Sequence, residues 1–316
     1  MPADSSPVLR PLVFGEVLFD LYPDGRETIG GAPFNVSCHL AAFGMNPLFV
    51  SAIGEDDRGD RVLEQMKRLG METAGVTRLN EYPTGTAKLM LEQGIPQFEI
   101  TEGVAWDHIR IDSVESLLSS RPATGWLLYH GTLAQREQES RDALGELVRR
   151  FPLRFVDLNL RPPYTETMVV QEAMQHANTL KLNKDELATV TEQPVPAQQE
   201  VQFLAQELAD SSHSRQLVVT LGEDGLMVLP KPGLLPQDNA IFIPPVKVKN
   251  PVDTVGAGDG VSAVLMMGRI RGWSLRQTLE SAVRFGAALC GIQGALPEDG
   301  HFYDTVLQQA GDARNG

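Results

Sequence analysis

Apolar residues in this chain fall into short, dense runs separated by longer stretches in which they recur every three or four positions. Leu12 to Leu21, Leu48 to Ile53, Trp126 to Tyr129, Arg154 to Asn159, Thr179 to Leu182, Leu217 to Leu221 and Leu226 to Leu229 read as strands, most of them covered on both faces. Between them, helices are expected over Asn35 to Phe43, over a stretch that buries Val62, Leu63, Met66 and Leu69, and over Gln135 to Arg150, Glu166 to Ala177 and Lys184 to Val190. A last one follows Gly260, with Val261, Val264, Leu265 and Gly268 on one face. Such alternation predicts an α/β fold, a mainly parallel sheet between two helical layers. Thr84 to Glu92 and Gln97 to Thr101 depart from it. They alternate apolar and polar positions around Gln93-Gly94-Ile95-Pro96, the pattern of a β-hairpin wetted on one face.

That hairpin is either a lid or an edge hairpin with no moving role. Its apolar face needs cover, so a homodimer formed through it is a further expectation. Pro194 to Gln199 and Lys231 to Asn239 read as loops, and Ala310 to Gly316 as a frayed end. With no linker or repeat, residues 1–316 are expected to form one domain, with a small discontinuous β lid from about residues 16–35 and 82–105.

Composition narrows the function classes. With 42% hydrophobic residues in 316, a substantial core can be buried, and a formal net charge of −14 argues against a nucleic-acid or anionic-membrane surface. Cys38 and Cys290 have no metal-ligand spacing and read as free thiols of a reducing compartment. The histidines form no His-x-x-x-His pair, which leaves zinc chemistry without support. Met1 to Pro11 lacks the plan of a signal peptide and no apolar run is long enough to span a bilayer, so a cytoplasmic protein is expected.

The chemistry concentrates in Asp253-Thr254-Val255-Gly256-Ala257-Gly258-Asp259. A glycine turn opening a helix bares backbone N–H groups at the positive end of the helix dipole, an arrangement that binds phosphate. Asp259 would repel an anion there unless it has a task, such as taking a proton from an attacking hydroxyl. Alone, the stretch reads more readily as a structural turn with an ordinary first-turn acid. Glu16 and Asp20 are carboxylates in an apolar strand, costly unless paired or used. Gly30-Gly31 opens a second close approach for a small ligand, with Asn35 either beside it or capping the helix. Asp157, Asn159, Arg161, Asn183, Glu186, Thr220 and Gly222 fall at or just after the carboxyl ends of strands, where ligands of such sheets gather.

Taken together, the chain resembles the ribokinase-like, or PfkB, carbohydrate kinases. Asp253 to Asp259 is similar to their C-terminal signature at every position, and Gly30-Gly31-x-x-x-Asn35 with Gly44, Gly54, Asp57 and Gly59 looks like their N-terminal one. Asn183-x-x-Glu186 and Thr220-x-Gly222-x-x-Gly225 match the two middle motifs, so the likeness runs from about Leu12 to Pro297. Phe14 to Asp20 and Asp157-x-Asn159-x-Arg161-Pro162-Pro163 most resemble the fructokinase branch.

The resemblance implies a ribokinase-like three-layer sandwich and transfer of the ATP γ-phosphoryl to a primary hydroxyl of a sugar, fructose first. Asp259 would be the base, with Gly256, Ala257, Gly258 and the Val255 amide holding the phosphoryl. Asp20, Gly30, Gly31, Asn35 and Arg161 would bind sugar. Asn183, Glu186, Thr220, Gly222, Gly225 and Thr254 would bind the nucleotide, Glu186 reaching magnesium (Mg2+) through water. A K+ site would draw on carbonyls near Asp253, Val255 and Gly294. The chain departs from the pattern at Gly94-Ile95-Pro96, where fructokinases carry Gly-Glu-Arg, and at Val283 and Ile292, where polar residues are usual by the adenine. Substrate choice would rest on a second tier, Phe34, Lys88, Phe98, Ile100, Trp106, His130 and Arg161. The rivals are a kinase for ribose, 2-keto-3-deoxygluconate or a nucleoside, and a non-catalytic sugar or nucleotide sensor, which would bind both ligands without releasing ADP. A Walker-type NTPase and a nicotinamide oxidoreductase lack their glycine motifs.

Overall fold

A computed structural model describes residues 9–92, 95–195, 197–231, 240–304 and 308, with backbone alone for 90–92, 95–98, 198 and 199. The turn residues Gln93 and Gly94, the side chain of Phe98, residues 232–239 and the 310–316 end therefore lie outside the described residues. In chain order the strands are β1 (Arg10–Phe14), β2 (Leu18–Leu21), β3 (Glu27–Gly30), β4 (Leu48–Gly54), β5 (Val76–Leu79), β6 (Gly85–Glu92) and β7 (Ile95–Ile100). Then come β8 (Trp126–His130), β9 (Arg154–Asp157), β10 (Thr179–Asn183), β11 (Gln216–Thr220), β12 (Leu226–Pro230) and β13 (Ile241–Ile243). The helices are α1 (Ala32–Ala42), α2 (Asp57–Arg68), α3 (Glu115–Leu118), α4 (Gln138–Arg150), α5 (Thr167–His176), α6 (Lys184–Thr191), α7 (Gln198–Ser211), α8 (Ala257–Arg271) and α9 (Leu275–Leu289).

Nine strands form one sheet in the order β13-β12-β11-β10-β9-β8-β1-β4-β5. It is parallel from β11 to β5; only β12 runs antiparallel to its neighbours. Alternate residues explain the three layers. Val13, Phe49, Tyr129, Phe155 and Val218 join the core formed with α1, α2, α8 and α9. Leu12, Phe14, Val50 and Leu128 point the other way, onto α4, as Val156, Leu180, Leu182, Leu217 and Val219 do onto α5, α6 and α7. With both faces covered, the strands read as continuous apolar runs. The mainly parallel α/β sandwich expected from the alternation is what forms.

Four strands make a second sheet, β3-β2-β6-β7, and β6 and β7 pair antiparallel as the hairpin pattern indicated. Here the structure corrects the reading of Leu12 to Leu21. That run is two strands in two sheets, broken at Gly15-Glu16-Val17, because Pro33 of α1 occupies the space beside Gly15; a Cβ there would stand 2.4 Å from the Pro33 ring. The first helix also starts earlier, at Ala32, with Pro33 in its first turn where a missing N–H costs nothing. Gly31 caps it, so Asn35 lies inside the helix and is free for another task. Helix α7 takes in Gln198 and Gln199, which the sequence suggested were loop, and α9 went unread because Ala282 and Gly286 thin its apolar stripe. Cys38 is buried in α1, and Cys290 is half-buried at the end of α9 rather than enclosed; both are free thiols. Among the described residues no helix is long and apolar enough to cross a membrane.

Candidate active site

The turn before α8 has one backbone shape that fits. Gly256 adopts φ 79°, and a Cβ there would stand 2.4 Å from Ala295, so both conformation and space demand glycine. Asp253 pins the turn from below. Its Oδ1 accepts the Val255 amide at 3.0 Å and its Oδ2 accepts the Gly294 amide at 3.1 Å. This brings together the three positions named for a monovalent cation. It also uses up one expected phosphate donor, and the Ala257 amide leans on Thr254 O at 3.3 Å. The amides of Gly256, Gly258 and Asp259 have no acceptor among the described residues and stand at the positive end of a 15-residue helix.

Asp259 sits in the first turn of that helix. Asn35 Nδ2 donates to its Oδ2 at 2.8 Å, across 224 residues of sequence. Burial pushes the carboxyl up to about 6, with Asp157 adding to the rise, while the Asn35 bond, Lys181 and Arg161 restrain it. Beneath, Lys181 Nζ meets Asp157 Oδ2 at 2.7 Å, and the same oxygen accepts the Ser262 hydroxyl at 2.7 Å.

Asp20 lies on β2, paired in register with Thr28 of β3. A Cβ on Gly30 would stand 2.9 Å from Asp20 Oδ2, so glycine leaves the carboxylate room. Gly31, at φ 101°, keeps the chain tight against Glu16, whose carbonyl oxygen would be 2.7 Å from a side chain. Burial raises Asp20 to about 6 and Glu16 to about 7, with Arg161 opposing both. Arg161 is exposed, and its Nη1 bonds only the Leu160 carbonyl at 3.0 Å. Asn35 is buried, with its Oδ1 lacking a partner among the described residues. Asn35 thus joins Asp259, Gly30 stands against Asp20, and Arg161 lies near enough to lower both carboxyls.

On the other flank, Asn183 and Glu186 form a capping box that starts α6. Asn183 Oδ1 accepts the Glu186 amide and Glu186 Oε2 accepts the Asn183 amide, both at 2.8 Å. Glu186 Oε1 also accepts the Leu160 amide at 2.8 Å, and burial raises its pKa. Each oxygen keeps a second lone pair, so the residue fits a cation held through water better than a bare one. No cluster of three or more His, Cys, Asp or Glu with metal-binding geometry occurs among the described residues. Thr220 pairs in register with Asn183, and Gly222 opens the next turn. Gly225 has a structural reason of its own, the carbonyl of Ile243 lying 2.3 Å from where its Cβ would be. Thr254 is exposed beside the turn.

The second-tier candidates divide. Phe34 and Trp106 are fully enclosed, Phe34 against Phe49 and Trp106 under the Arg136 guanidinium, so both are core residues. Lys88 is exposed and Ile100 half-buried. His130 ends β8 buried, its pKa pushed down to about 4 by burial, which keeps it neutral. Lys181 and Ser262 were missed, although a lysine between Leu180 and Leu182 in a buried strand was a signal of a hidden partner. A cavity of about 320 Å3 lies at the opposite, amino end of the sheet, lined by Arg154, Arg215, Arg269 and Trp273 among others, and holds none of these groups.

The model of the pfkB family carbohydrate kinase matches residues 14–298. The chain is 26% identical to a 5-dehydro-2-deoxygluconokinase of Geobacillus thermodenitrificans, over 92% of this chain and 89% of that one. It is 25% identical to a fructokinase-2 of Oryza sativa, over 90% and 89%. Among solved structures, the fructokinase of Xylella fastidiosa with bound ATP superposes with a TM-score of 0.79 at 20% identity, covering 96% of this chain and 99% of that one.

Proposed function

The chain belongs to the pfkB family of carbohydrate kinases, and we propose that it transfers the γ-phosphoryl of ATP to a primary hydroxyl of a sugar, fructose being the first candidate. The observation that carries the reading is Asp259, an acid placed among unpaired amides and turned by Asn35 toward the Asp20 cleft. Asp20 accepts hydrogen bonds from neighbouring sugar hydroxyls, and the Asn35 Oδ1 left without a partner accepts another. Asp259 takes the hydroxyl proton as the new O–P bond forms. The amides of Gly256 and Gly258 meet the equatorial phosphoryl oxygens, where transition-state charge gathers. Magnesium, when bound with the nucleotide, neutralises phosphate charge; Glu186 and Asn183 would hold its waters. The second sheet, carrying Asp20 and Lys88, serves as the lid, and the apolar face of its hairpin is the surface through which two copies would pair.

A second substrate has one observation in its favour. Arg161 stands exposed beside the sugar cleft without a carboxylate in salt-bridge reach among the described residues, which suits a sugar acid such as 2-keto-3-deoxygluconate. ADP release measured over fructose, ribose, 2-keto-3-deoxygluconate and nucleosides decides between them. Asp259→Asn should lower kcat by roughly 10²–10⁴-fold on the best substrate. Unchanged turnover in that variant would remove the base assignment, and ligand binding without any ADP would turn the protein into a sensor.

A further inference from the structure

Directly behind the phosphoryl turn, three strands and a helix contribute to one buried cluster. Lys181 of β10 is 5% exposed and donates to Asp157 Oδ2 at 2.7 Å. Asp157 ends β9 and is 2% exposed; Ser262 of α8 and Tyr129 of β8 donate to the same oxygen at 2.7 and 3.4 Å. Lys181 Nζ lies 3.6 Å from where a side-chain carbon on Gly258 would be, one residue before Asp259. A buried ion pair is a poor device for stability alone, since apolar residues of similar volume usually serve as well or better. Its placement under the turn gives it another use.

We propose that Lys181 and Asp157 are positioning residues that govern Asp259: Lys181 keeps the Asp259 carboxylate ionised against the negative charge of Asp157, and Asp157 ties the first turns of α8 to the sheet through Ser262. The inference rests on the reading of Asp259 as the base. Among the described residues, the groups that act on that carboxylate are Asn35 from α1, Glu16 from the β1–β2 link, Arg161 after β9, Tyr129 from β8, and the Lys181–Asp157 pair below. Lys181 is the cation among them that solvent cannot screen.

The test titrates the Asp259 carboxyl by carbon-13 NMR in the full-length, ligand-free protein, with Asp259→Asn for assignment. Lys181→Met should raise its midpoint by about one pH unit or more. Asp157→Asn should lower it, and the double variant, free of both charges, should return it close to wild type. The acid limb of kcat should move in the same order. If Lys181→Met does not fold, Asp157→Asn must still titrate below the double variant. Equal midpoints across the set, with only melting temperatures changed, would overturn the proposal. Absence of sugar phosphorylation in the wild type would instead sink the kinase reading, while the titration would still show whether Lys181 governs Asp259.

Discussion

Glu16, Asp20 and Asp259 all feel Arg161, and burial raises all three toward neutrality, to about 7, 6 and 6. In the proposed reaction Asp20 must be ionised to accept from sugar and Asp259 to accept the proton. Below about pH 6 the logarithm of kcat/KM should therefore fall with a slope approaching two, whereas a single essential acid gives a slope of one; a pH–rate profile on the best sugar separates the two. Glu16 carries no assigned role and leaves its mark on stability. Its folded pKa, about 7, exceeds the ordinary 4.5, so the fold favours the neutral acid. That contribution is fully present below pH 4.5 and is lost as pH rises through 7. Glu16→Gln escapes the loss, which is on the order of 3 kcal/mol at most. The variant should melt with the wild type at pH 5 and clearly above it at pH 8, by calorimetry without ligand.

At the scale of elements, the turn into α8 depends on one residue's freedom. Gly256→Ala meets both a left-handed φ and the Ala295 backbone, and should cost ~1–3 kcal/mol with a larger proportional loss of kcat than of binding. Thermal melts and steady-state kinetics on the same variant check both parts. The glycines and Asp259 were readable in the sequence because a turn that opens a helix has few solutions. The longer apolar strands and the helical cover on both faces were readable too, since apolar runs and helical spacing are local properties, whereas the short strands β3, β5 and β13 gave no such run. The break at Gly15 to Val17 was not, because its cause is Pro33, distant along the strand's own pattern. Nor could a sequence show that Trp106 is core while Asn35 reaches Asp259; both depend on which elements meet in space. The capping box of Asn183 and Glu186 lay in plain view as a spacing, yet its structural meaning was masked by a binding motif of the same form.

Over the whole molecule, a formal charge of −14 surrounds a site meant for a polyanion. On the proposed reading, the nucleotide would be held by local amides against an unfavourable long-range field. Raising ionic strength from about 10 mM to 150 mM, which shortens the screening length from about 30 Å to 8 Å, should leave the KM for magnesium-ATP unchanged or lower it. A marked rise would mean that steering by positive charge matters more than these donors. Sedimentation or light scattering tests pairing through the second sheet, and a monomeric mass removes it.

The hydrogen bond between Asn35 and Asp259 also sets a clock. Helix α1 is made early, but the helices that cover its apolar side, α8 and α9, emerge last, 224 residues beyond Asn35. At ordinary elongation rates that interval is roughly 10–45 s. Phe43, which meets the rings of Phe285 and Tyr303 in the folded protein, spends it without those neighbours, so the nascent chain carries an adhesive face through most of its synthesis. Exposure to aggregation and to chaperones is expected to be greatest in that interval, before Asn35 can meet Asp259.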